Sequence, residues 1–102
     1  MKTAKFTGVV RKNYKDLIPE IIDPNTIYLF CNDDGSPRRI FFLCPCGCND
    51  KCNIRARPPR EPEPSWDVKV EEDGTPTLHP SVNYTFGCKS HFSIAFGNIA
   101  WH

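Results

Sequence analysis

Five thiol or imidazole side chains fall into two tight groups, Cys44/Cys46/Cys48 and Cys88/His91, about forty residues apart. Grouped donors of this kind suit zinc. The ion takes a tetrahedron of thiolate and imidazole ligands at about 2.0–2.3 Å, and a short loop delivers paired ligands without long-range precision. In an extended stretch residues two apart share a face, so Cys44 and Cys46 point together, while Pro45 and Gly47 bend the backbone around an ion. Three cysteines in five residues beside Pro and Gly are poorly explained as buried small hydrophobes, the usual role of a free cysteine. A nearby His, and the lack of a four-cysteine cluster spacing, favour zinc over an iron–sulfur cluster. Five candidates exceed the four ligands zinc needs, and spacing alone does not choose among them.

The remaining reactive residues have blander roles. Cys31 falls inside an apolar run and reads as strand core, and Cys52, after Asn49-Asp50-Lys51, reads as a loop thiol. His79 precedes Pro80-Ser81 and reads as a polar residue closing a strand, the alternative being a group that reaches the metal or orients a substrate. His102 reads as solvated.

Two chemistries suit such a zinc site. With three protein ligands and a water, the ion lowers the pKa of that water to about 7 and its hydroxide attacks a peptide carbonyl. The chain offers no H-E-x-x-H helix motif, which leaves Asp50, His79 and Ser81 as candidate proton acceptors. With four protein ligands the shell is closed, and the ion is a folding staple in a module that binds other proteins. Thiol redox chemistry is disfavoured, because C-x-C lacks the helix-borne C-x-x-C arrangement that lowers a thiol pKa.

The elements that must position these groups are strands. Thr26–Cys31 and Arg39–Cys44 are β-branched and aromatic runs flanking Asp33-Asp34-Gly35-Ser36, which predicts a hairpin. Trp66–Glu71 alternates apolar with charged residues, and Glu72-Asp73-Gly74 turns the chain toward Thr75–Leu78. Phe92–Phe96 also alternates, and Gly97-Asn98 predicts a third hairpin with Ile99–Trp101. Asn13 could cap a short helical turn, cut off by Pro19 and Pro24. The Pro-rich stretch 57–64 cannot supply ladder donors and reads as an exposed loop. The expectation is mostly β: a small single domain, residues 1–102, of antiparallel hairpins organised around one zinc site.

Composition narrows the partners. A chain of 102 residues, 39% hydrophobic, holds enough for one core, and 13 basic against 12 acidic residues leave a formal charge of +1. That balance lacks the basic footprint of a nucleic-acid binder. No segment has the apolar length of a signal peptide or a membrane span, which predicts a cytoplasmic protein away from membranes, and a reducing compartment disfavours disulfides. Nothing in the sequence sets an oligomeric state.

Leu43-Cys44-Pro45-Cys46-Gly47-Cys48, Trp66, Thr77-Leu78-His79-Pro80-Ser81-Val82, Cys88-Lys89-Ser90-His91-Phe92 and Ile99-Ala100-Trp101 together resemble a small Cys-rich family of unknown-function domains from bacteria and phages. Some of its members lie beside ubiquitin-like conjugation genes. The resemblance covers roughly residues 26–102. It implies a zinc-binding β domain and a zinc-dependent peptidase acting on a ubiquitin-like protein. The chain departs from the family pattern at Asn49-Asp50-Lys51-Cys52, which inserts an extra cysteine after C-G-C, and in its longer, more charged Pro-rich connection.

Overall fold

A computed structural model describes residues 5–48, 50–56, 65–83 and 91–102. Eight strands are present: β1 (Gly8–Asn13), β2 (Thr26–Cys31), β3 (Pro37–Leu43), β4 (Lys51–Arg55), β5 (Asp67–Val70), β6 (Pro76–Asn83), β7 (His91–Ala95) and β8 (Asn98–Trp101). They form two four-stranded sheets, β1-β2-β3-β4 and β5-β6-β7-β8. The described residues contain no helix.

Every expected hairpin forms. Around Gly35 the chain reverses with Asn32 N–H donating to Ser36 O at 2.8 Å, and around Gly74 with Glu71 N–H donating to Thr75 O at 2.8 Å. The two turns share one device. Asp34 accepts from the Ser36 hydroxyl and Asp73 from the Thr75 hydroxyl, and these bonds hold both carboxyls below the usual carboxylate range. The last turn sits one residue earlier than its Gly-Asn signal suggests. Ala95 pairs with Asn98, so Phe96 and Gly97 are the central residues, both at positive φ (50° and 77°). Gly97 is required there, since a Cβ would collide with the Phe6 carbonyl oxygen.

Three features depart from expectation. β1 pairs with β2 in parallel, so the first sheet is mixed and not built from hairpins alone. β4 extends the Cys-rich loop into a strand, and it carries Cys52 into the core, fully buried opposite Phe42. The expected helical turn at Asn13 is a tight turn only. Asp16 N–H donates to Asn13 O at 2.9 Å and Lys15 N–H to the Asn13 side chain at 3.0 Å, and the chain then runs on without helix toward Pro19. The stretch 57–64 lies outside the described residues.

The core sits between the sheets. Phe6, Ile27, Leu29, Ile40 and Phe42 meet Leu78, Val82, Phe92 and Ile94. Phe42 is the hinge of this packing, edge-on to Phe6 at 5.5 Å and to Phe92 at 6.2 Å between ring centroids. Tyr28, Phe30 and Phe41 pack with Ile22 in a second cluster on the other face of the first sheet. This explains why β2 is apolar almost throughout: it is covered on both faces.

Candidate functional site

The β3–β4 connection is a closed hairpin loop. Cys44 N–H donates to Asp50 O at 2.8 Å across its neck, just beyond the Leu43–Lys51 pair. Gly47, at φ 89°, supplies a left-handed conformation that disfavours other residues, and its N–H reaches Cys44 O at 3.3 Å. Inside this loop the sulfurs of Cys44, Cys46 and Cys48 all lie within 4.8 Å of one another. Cys44 and Cys46 are 3.4 Å apart, and Asp50 N–H points at the Cys48 sulfur from 3.5 Å.

These distances fit a metal. A tetrahedral zinc with Zn–S bonds of about 2.3 Å sets its sulfurs about 3.8 Å apart, and a backbone N–H aimed at sulfur favours the thiolate that binds. Three thiols close together can hold one metal ion. Burial is graded from Cys44 (buried) through Cys46 to Cys48 (exposed), so the loop is rooted in the core and open at its tip. Cys31 is elsewhere, buried in β2 with its thiol toward Leu29 O at 3.7 Å, as expected for strand core. Cys88 lies outside the described residues.

The second group of reactive residues is built by β6 and β7. Leu78 pairs with Ile94 and Val82 with Phe92, so His79, Pro80 and Ser81 occupy the interval that Ser93 alone spans on β7. Pro80 has no N–H to offer the ladder, and the strand bulges there. Trp66 braces the bulge. Its own N–H donates to Arg55 O at 2.9 Å, and its indole N–H donates to Ser81 O at 3.2 Å.

Beyond the bulge the strands regain alternation. Val82, Phe92 and Ile94 face the core, so Ser81, Asn83, His91 and Ser93 share the opposite face. Ser81 and His91 are diagonal neighbours on that face, and Ser81 Oγ lies 2.9 Å from His91 Nε2. With Nε2 unprotonated the hydroxyl donates to it. This is the hydrogen-bond reach that a hydroxyl nucleophile and its base require.

A bacterial ubiquitination-like system serine protease model (BubE) matches residues 14–102. The chain belongs to the BubE family. No curated protein and no solved structure matches. The family description names a serine protease, a chemistry that uses a hydroxyl on an imidazole. A bacterial protein tied to a ubiquitin-like system, as the Cys-x-Cys and Pro-Ser motifs suggested, is what the BubE match supports, and such a system implies protein partners.

Of the five expected ligands, Cys44, Cys46 and Cys48 are brought together, while the Nε2 of His91 is turned to Ser81. His79 is exposed on β6 opposite Asp67, and Asp50 contributes backbone groups to the thiol loop. Ser81, one of the three candidate proton acceptors, lies against His91, and His102, read as solvated, is exposed. The available signal was Ser-x-Asn against His-x-Ser, a polar alternation with the buried Val82 and Phe92 between. No helix among the described residues is long and apolar enough to cross a membrane.

Proposed function

We propose that this BubE-family chain is a serine peptidase that cleaves a ubiquitin-like protein at a peptide or isopeptide carbonyl. Ser81 is the nucleophile and His91 the general base. The supporting observation is the 2.9 Å contact between Ser81 Oγ and His91 Nε2. In the first step His91 Nε2 takes the Ser81 proton while Oγ bonds to the carbonyl carbon. The C–N bond then breaks, and the leaving amine receives that proton from His91. Water, activated by the same imidazole, hydrolyses the acyl-serine and restores the hydroxyl.

In this reading Cys44, Cys46 and Cys48 would hold a zinc ion, with Cys88 the expected fourth donor, and the ion would stabilise the fold. Zinc's chemistry at an all-thiolate site is structural: a closed shell leaves no position for water. His91 is thereby released for proton transfer.

The test is cleavage of a ubiquitin-like precursor carrying a C-terminal fusion. Ser81→Ala should lower kcat/KM by about a thousandfold or more, with metal content unchanged. Ser81→Ala that cleaves at the wild-type rate, together with activity that follows zinc occupancy, would point to a metal-bound hydroxide and end the serine reading.

A further inference from the structure

We infer that His102, itself held by Ser93, is a positioning residue for His91. The inference rests on the serine–histidine reading above. The Phe92–Trp101 pair puts His102 directly across from His91, and His102 N–H donates to His91 O at 2.9 Å, carrying the β7–β8 ladder one residue further. The two imidazoles therefore stand side by side, with ring centroids 4.9 Å apart and planes inclined by 47°. The far end of His102 is tied down as well, its Nε2 lying 3.1 Å from Ser93 Oγ.

Four side chains thus run in one chain over the outer face of β6, β7 and β8: Ser81, His91, His102, Ser93. Both ends of this chain are hydroxyls, Ser81 on β6 and Ser93 on β7, the strand that carries the base. A half-buried histidine on an outward face is otherwise free to swing about its side-chain torsions. His102 closes one side of that swing while Ser81 closes the other.

A base in a serine hydrolase needs an orienting third group, and here a ring fills that role by contact. Its aromatic character matters. When His91 takes the Ser81 proton it becomes a cation, and the flat ring packed beside it at 4.9 Å limits how far it can turn away. His102 touches neither substrate nor the reacting oxygen, so its effect passes through His91.

The experiment is time-resolved labelling of the full chain with a fluorophosphonate, which bonds to an activated serine and needs no knowledge of the natural substrate. Mass spectrometry locates the label and the time course separates kinact from KI. His102→Ala should lower kinact by about tenfold to a hundredfold at unchanged KI, the scale expected when a reacting group loses its alignment. His102→Phe, which keeps an aromatic ring, should recover most of that loss, and Ser93→Ala should fall between. His102 is exposed, so both of its variants should melt with the wild type. His102→Ala labelling at the wild-type kinact, a change confined to KI, or no recovery in His102→Phe would each overturn the assignment. Labelling of Ser81 that is lost in Ser81→Ala and His91→Ala secures the parent reading independently of His102. Wild-type protein that takes no label at Ser81 removes both.

Discussion

The thiol loop and the serine–histidine pair are built in opposite ways. Cys44, Cys46 and Cys48 lie within five residues of one hairpin loop, and a neck bond and one left-handed glycine suffice to gather them. Ser81 and His91 lie on different strands and meet across the β6–β7 ladder, as diagonal neighbours where it resumes at Val82–Phe92 beyond the bulge. A loop carries its own geometry, whereas a cross-strand pair borrows its geometry from the register of a whole sheet. The thiol site should therefore be sensitive to its own residues, and the hydroxyl–imidazole site to the sheet beneath it.

The sharpest way to separate the two regions is to remove one donor from each. His91→Ala should lower cleavage by about a thousandfold or more while zinc content and melting temperature hold, because His91 is the base and not a ligand in this reading. Cys46→Ser should do the reverse. It should lose stoichiometric metal by mass spectrometry and melt markedly lower, as should chelated wild-type protein, since metal binding free energy is folding free energy in small domains. Zinc loss in His91→Ala would merge the two sites into one.

Next in size is a change that should damage both. Phe42 belongs to β3, which leads into the thiol loop, and its ring meets Phe92, the neighbour of His91. Phe42→Ala should cost about 3–5 kcal/mol by denaturant titration, as large core truncations do. A cost below about 1 kcal/mol would mean that the sheets are not coupled through this ring.

A subtler change isolates the bulge. Trp66→Phe keeps the ring volume near Ser81 and deletes the indole N–H that donates to the Ser81 carbonyl. It should cost about 1 kcal/mol of stability and reduce kcat more than it raises KM. An unchanged kcat would show that Pro80 and the strand register hold Ser81 without help.

The smallest effect belongs to a turn. Asp73 is held below the usual carboxylate range by the Thr75 hydroxyl and, next, the Thr75 N–H. A folded-state pKa below the unfolded value means the carboxylate contributes stability above about pH 4, and that contribution is lost as pH falls through the lower folded value. Asp73→Asn should thus lower stability slightly above about pH 4 and flatten the acid limb, the two curves converging as pH falls below that. Wild-type and variant curves that superimpose at neutral pH and share the same acid limb would remove this contribution.

What the sequence determined by itself was local. Asp-Gly and Gly-rich punctuation marked three reversals, alternation marked the strands between them, and Cys44-Pro45-Cys46-Gly47-Cys48 marked a loop whose clustered thiols can hold a metal ion. Each depends on neighbours within a few residues, and the backbone preferences of Gly, Pro and Asp act at that range. Only the tertiary structure decided the rest. The parallel pairing of β1 with β2, the burial of Cys52 and the meeting of Ser81, His91, His102 and Ser93 depend on which strands lie side by side and in what register. Side chains alternate with a period of two, so one slip of register moves a hydroxyl to the opposite face of its sheet. That register is set by the packing of Phe42, Phe92 and their neighbours, a property of the assembled core that no short stretch of sequence contains.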